Sequence, residues 1–144
     1  LYLVGKGDYE PQLKRLVDQL GLEGRVIFTG FMEKEETGRY YGMADIFVHP
    51  ALWPEPFPRT ILEALSYHLP MVVSDSGSSA SILCAAGIPF RNGDHFDLAK
   101  KLELLMDDPG LRERTIMAGE EVLKRYHPDT VMSQILDFYA SLLS

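Results

Sequence analysis

Short apolar runs alternate with amphipathic stretches along most of this chain, and the alternation predicts its architecture. The runs "LYLV" (1–4), "RVIF" (25–28), "DIFV" (45–48), "MVVS" (71–74) and "GIPF" (87–90) read as buried strands, short and rich in β-branched and aromatic residues. Between them, "EPQLKRLVDQLG" (10–21), "EETGRYYGMA" (35–44), "PRTILEALSYH" (58–68) and the weaker "SASILCAA" (79–86) read as helices. In the first of these, Leu13, Leu16, Val17 and Leu20 recur at helical spacing, and Gly21 follows as a stop. Strand–helix alternation of this kind means βαβ units, hence an α/β fold with a doubly wound, Rossmann-like parallel sheet.

The tail changes character. "FDLAKKLELLMDD" (96–108), "PGLRERTIMAGEEVLKRY" (109–126) and "PDTVMSQILDFYASLLS" (128–144) are successive helices, two of them opened by proline. Val131, Ile135, Phe138, Tyr139 and Leu142 form an apolar stripe on the last, expected to pack on this domain or on an absent partner domain. The chain reads as one domain over 1–144, without repeats or linkers. Residue 1 already lies in an apolar run with no turn or cap before it, which suggests a fragment of a longer protein.

Composition narrows the function classes. With 46% apolar and 24% charged residues the chain is an ordinary globular one. Lys plus Arg number 14 against 21 acidic residues, and the net charge of −7 argues against nucleic acid as a partner. A single cysteine, Cys84, forbids an internal disulfide and favours a reducing compartment. The four histidines have no metal-ligand spacing, and no apolar run approaches the roughly 20 residues of a membrane span. The expectation is a cytoplasmic domain without metal or cofactor, with the cytoplasmic face of a membrane as the alternative place for a full-length protein.

Ligands of open α/β sheets bind where strand carboxyl ends feed helix N-termini, here the loops 5–10, 29–34, 49–58, 75–79 and 91–95. "GKGDYE" (5–10) carries a G-x-G that lets a phosphate approach the backbone, or simply makes a tight turn. Glu10 stands where a dinucleotide fingerprint needs its third glycine, and no ribose-binding acid follows Thr29-Gly30. "SDSGSS" (74–79) suits an anion loop and an ordinary serine N-cap equally.

The sharpest stretch is "WPEPFPRTILEAL" (53–65). Its prolines force an extended or turned segment, and Pro58 suits the first position of a helix. Glu55 is thereby held at a strand's carboxyl end at low entropic cost. Glu63 lies off the face shared by Ile61, Leu62, Ala64 and Leu65. An i,i+4 pair with Arg59 on a solvated face, worth about 0.3 kcal/mol, accounts for it without any function. His49 and His68 read as structural, and Cys84 as a small packed apolar residue.

"EPFPRTILEAL" followed by "LPMVVSDSG" resembles the glutamate-x7-glutamate signature of retaining, nucleotide-sugar-dependent glycosyltransferases of the GT-B fold. More narrowly it resembles glycosyl transferases group 1, or family 4. The likeness extends over "LYLVGKGDYEPQLKRL", "VIFTGFM", "YYGMADIFVHPALWPEPF" and "AAGIPFRNGDHFDLAKKLELLMDD", nearly the whole chain. It implies the C-terminal, donor-binding domain of a metal-independent, two-domain hexosyltransferase, with extra C-terminal helices. The acceptor domain, the first strand–helix unit and the family's basic pair would lie before residue 1, so the fragment alone is expected to be inactive. By the same resemblance Glu63 would bind the ribose, and Glu55, the catalytic residue, would sit near the hydroxyls of the transferred sugar. The backbone of Phe57, Pro58, Arg59 and Thr60 would lie near sugar and phosphate, Pro58 with no N–H to offer. Gly30, Phe31 and Met32 would flank the base, and Gly5 and Gly7 the diphosphate.

There are departures. The family's two glycines followed by Pro-Glu are here Gly77-Ser78-Ser79-Ala80-Ser81, without the acid, and its helix-ending glycine is His68. The alternative function is a catalytically inactive nucleotide-sensing or scaffolding domain of the same fold. A phospho-acceptor receiver domain would need an aspartate where the third strand ends in Val48-His49-Pro50. A sugar phosphorylase would need a pyridoxal-phosphate lysine site, and none is visible.

Overall fold

A computed structural model describes residues 1–143. The alternation appears as read: β1 (Tyr2–Val4), α1 (Glu10–Gln19), β2 (Ile27–Gly30), α2 (Lys34–Met43), β3 (Phe47–His49), α3 (Arg59–Ser66), β4 (Met71–Ser74), α4 (Ser79–Leu83) and β5 (Ile88–Phe90). A 3₁₀ turn (Cys84–Ala86) follows α4, and the tail is α5 (His95–Asp107), α6 (Pro109–Arg125) and α7 (Pro128–Leu142). The chain divides into two compact units, Leu1–Ala44 and Asp45–Ser144. In the first, β1 pairs with β2; in the second, the strand order is β3-β4-β5, and every ladder is parallel.

The two units differ in how much they bury. None of residues 1–44 is fully buried, and Tyr2 and Val4 of β1 are about half exposed. The expectation of buried strands therefore fails for β1 and β2. A two-stranded sheet in a unit of this size has too little chain to cover itself. It holds for β4, the central strand of its sheet, whose four residues are all buried. Val72 of β4 packs with Phe90 and Leu105, and Ile46, Ile88, Leu98, Leu102 and Leu111 close around them. On α3, Ile61, Ala64 and Leu65 are buried at i, i+3, i+4 spacing. Gly119 lets α6 approach that face closely: a Cβ there would sit 2.7 Å from Leu65 Cδ2.

Helix ends follow their chemistry. Asp94 caps α5 by accepting from the amides of Phe96 and Asp97, and Asp108 caps α6 through the Leu111 amide. Arg112 Nη1 donates to the carbonyls of Leu105 and Met106, closing the end of α5. At the end of α3, His68 N–H donates to Leu65 O and Leu69 N–H to Ala64 O, a Schellman stop with Leu69 buried beneath it. His68 holds the left-handed position usual for glycine, at φ 55°.

Two further expectations need correction. Pro58 sits one position earlier than read, at the N-cap of α3 with extended ψ, so the helix opens at Arg59. Cys84 is exposed rather than packed, because it turns out of α4 in a left-handed conformation (φ 49°) with Sγ on Ser81 O. The α7 stripe, expected to pack on this domain or on an absent partner domain, is not covered by the described residues of this chain. No residue of α7 is buried, and Phe138, Tyr139 and Leu142 are each more than 60% exposed.

Candidate donor-binding site

In the second unit, the loops at the carboxyl ends of β3, β4 and β5 are tied together, and the proline segment is what they hold. Leu52 O accepts from Asn92 Nδ2 at 2.9 Å and lies 3.5 Å from Ser76 Oγ. Asn92 is itself fixed by its amide on Asp75 Oδ1 at 2.8 Å. Three residues on, Glu55 O accepts from both the amide and the hydroxyl of Ser78 at 3.2 Å, and Pro56 O lies 2.7 Å from the same hydroxyl. The prolines supply no donors of their own, so this segment is held through its carbonyls.

Ser78 does not play the serine N-cap part that "SDSGSS" suits. It stands at the N-cap position of α4 but its hydroxyl does not cap that helix. It faces the Glu55 segment instead. Gly77 completes the arrangement, with φ 64° and no room for a side chain: a Cβ would fall 2.6 Å from both Glu55 N and Glu55 O.

The pinned segment places the Glu55 carboxylate over an open cleft of about 310 Å³ lined by His49, Pro50, Ala51, Leu52, Trp53 and Glu55. Leu52 and Trp53 are largely exposed, giving the cleft an apolar wall beside its acid. His49, the last residue of β3, is only 9% exposed. Its Nε2 lies 3.6 Å from Glu55 Oε2. Burial pushes the imidazole below its ordinary pKa, and the Glu55 charge opposes that only in part. A buried, neutral histidine contributes stability that declines as pH falls through the ordinary histidine range, since the unfolded chain then binds the proton more readily.

Glu63 sits on α3, half-buried, on the side away from Ile61, Ala64 and Leu65; its backbone carbonyl takes the Ser66 hydroxyl at 2.6 Å. Phe57 packs edge-on against Tyr126 with ring centroids 5.2 Å apart, which fixes the entry to α3 from the far side. Arg59 and Thr60, both exposed, form the first turn of α3, where helix amides have no intrahelical acceptor.

The first unit offers a second cluster. Gly5 N–H donates to Gly30 O at 2.9 Å, so the G-x-G turn after β1 and the Gly30-Phe31-Met32 loop after β2 lie side by side. Lys6 Nζ stands 5.8 Å from the Phe31 ring centroid, and Phe31 is 64% exposed. Lys6 also lines an open cleft with Gly7, Asp8, Glu10 and Pro11.

The sequence reading missed His49, Gly77, Ser78 and Lys6. Only Lys6, inside the G-x-G, carried a local signal. Gly77 and Ser78 meet residues more than twenty positions earlier, and His49 meets Glu55 only because the proline segment turns back over it.

Residues 1–122 match the family described as glycosyl transferases group 1. An uncharacterised glycosyltransferase of Methanocaldococcus jannaschii is 30% identical over 142 residues, covering 96% of this chain and 36% of its own length. The phosphatidyl-myo-inositol mannosyltransferase of Mycobacterium leprae is 31% identical over 144 residues, covering 99% and 38%. Among solved structures, Anabaena HepE in complex with UDP superposes with a TM-score of 0.87 at 26% identity, over 97% of this chain and 40% of that one. The same protein in complex with UDP-glucose gives 0.85. The chain therefore spans between 36% and 40% of the length of these relatives. Its parallel α/β architecture is that of GT-B glycosyltransferases, and by its sequence the chain belongs to the glycosyl transferases group 1 family.

Proposed function

We propose that this chain is the donor-binding part of a retaining enzyme that moves a hexose from a nucleoside-diphosphate sugar to an acceptor, without a bound metal. The observation that carries the reading is the Glu55 segment, its backbone held by Ser78 so that Glu55 lines a cleft at the carboxyl end of β3. Glu63 follows eight residues later on the helix that this segment launches. Glu63 takes the ribose hydroxyls and Glu55 the hydroxyls of the transferred sugar. Breaking the sugar–phosphate bond gathers negative charge on the leaving diphosphate, and preorganised donors lower that barrier. Pro58 has no N–H, so at α3 the backbone donors are the amides of Arg59 and Thr60. In the first unit, the Gly5–Gly7 turn and the exposed face of Phe31 beside Met32 offer a diphosphate and a base their natural surroundings. The HepE complexes with UDP and UDP-glucose support the donor class.

Calorimetry of the complete protein against UDP-, GDP- and ADP-sugars and their free nucleotides, with and without EDTA, tests this. Removing a charged hydrogen-bond partner costs about 1.5–3 kcal/mol, or roughly 10- to 150-fold in affinity. Glu63→Ala should weaken nucleotide and nucleotide sugar alike by that factor. Glu55→Ala should spare the nucleotide and weaken only the sugar-bearing donor. Negligible effects of both substitutions would remove the assignment, and binding or turnover that vanished with EDTA would remove the metal-free reading.

A further inference from the structure

Among the described residues, one buried side-chain polar atom has no hydrogen-bond partner: Nε2 of His49. Such an atom in a packed protein calls for an explanation. It is not a stray group in the core, because His49 lines the same cleft as Glu55 and its Nε2 faces Glu55 Oε2. At 3.6 Å the two are too far apart for a hydrogen bond and too close for an intervening water. Hydrogen bonds that a site uses are often long before its ligand arrives, and tighten on binding.

We propose that His49 is the positioning residue of this site: its Nε2–H hydrogen-bonds Glu55 Oε2 when a sugar-bearing donor enters, and leaves the second carboxylate oxygen for a sugar hydroxyl. The inference rests on the assignment of Glu55 to the transferred sugar. It adds what fixes the rotamer of that acid. The backbone of the Glu55 segment is held by Ser78, but a carboxylate on three further rotatable bonds is not held by its backbone. A histidine at the end of β3, ladder-paired opposite Val73, cannot follow the acid about. A neutral imidazole suits the task, because it donates one proton in one direction and adds no charge to the site. The burial that keeps His49 neutral serves this arrangement.

Four forms of the complete protein, wild type, Glu55→Ala, His49→Phe and His49→Gln, separate the possibilities when titrated with UDP and with UDP-glucose. Phenylalanine keeps the ring volume without the donor; glutamine keeps a donor near the place of Nε2. His49→Phe should leave the UDP affinity unchanged and weaken UDP-glucose about 10-fold, and His49→Gln should recover most of that loss. If Glu55→Ala weakens UDP-glucose while His49→Phe does not, the positioning role fails and the reading of Glu55 stands. If neither does, both fail. A His49→Phe protein that loses UDP as well, or a His49→Gln protein no better than it, would reduce His49 to packing. A further measurement needs no donor: the NMR titration midpoint of His49 in the free protein should fall in Glu55→Gln, since the Glu55 charge raises it. An unmoved midpoint would show that the two groups do not act on each other, and would overturn the proposal.

Discussion

Gly77→Ala should both destabilise the protein and strip it of its preference for the sugar-bearing donor over the free nucleotide. Two costs arise at one carbon. A β-carbon in the left-handed region costs about 1–2 kcal/mol. The same carbon would fall 2.6 Å from Glu55 N and O and 3.0 Å from Pro54 C, all backbone atoms that no rotamer change can move aside. Forcing extra volume into such a contact costs a further ~1–3 kcal/mol. The lower-energy response is to push the 54–56 segment away, which breaks the Ser78 contacts and carries Glu55 off its cleft. A displacement of about 1 Å is enough to cost on the order of 100-fold in an oriented site. Urea unfolding should therefore report a loss of about 2–5 kcal/mol. Calorimetry should show UDP-glucose affinity reduced at least as far as in Glu55→Ala, with UDP retained. A variant of wild-type stability, or one that kept its full sugar-donor affinity, would mean that the loop does not depend on this contact.

Leu105→Ala should produce a loss of comparable size and the opposite pattern. Leu105 has no exposed surface and clusters with Val72 and Phe90, and Leu98, Leu102 and Leu111 pack against that cluster. Truncating a fully enclosed leucine removes its transfer free energy and leaves a cavity that rigid neighbours fill poorly, in all about 2–5 kcal/mol. None of its neighbours lines the cleft of His49 and Glu55. Nucleotide and nucleotide-sugar affinities, measured well below the lowered melting temperature, should stay within about twofold of wild type. A loss below about 1 kcal/mol would show the core to be looser than its packing suggests. A large change in affinity would show that the site is coupled to the far side of the sheet.

The two substitutions also mark what the chain discloses locally and what it withholds. Strand–helix alternation, the proline-opened helices and the position of β4 all follow from short-range pattern, because period and breaker residues act within a few positions. "EPFPRTILEAL" named both glutamates for the same reason. The burial of His49 was not legible. A histidine ending a short apolar run looks alike whether it is capped by solvent or by a loop returning over it. Ser78 is the clearer case. Its local context suits an N-cap, yet its hydroxyl serves a carbonyl 23 positions earlier, a contact that no window along the sequence contains. Pro58 missed by one position because its fixed φ is compatible with both the N-cap and the first helical residue, and the choice is made by ψ, here extended. The incomplete burial of β1 follows from what surrounds it rather than from its own residues, which are as apolar as those of a core strand.

The end of α3 carries a last consequence, for mutational drift. His68 occupies a backbone conformation that disfavours side chains by about 1–2 kcal/mol. The helix nevertheless stops there, because two hydrogen bonds and a buried Leu69 define the same stop independently. Redundancy of that kind makes a position permissive. His68 is exposed, so the chain can exchange residues there at a modest and local cost. At Gly77 φ is nearly the same, but the space is already filled by the backbone of Glu55. Of two left-handed positions in one unit, the first leaves the sequence free to wander and the second holds it still.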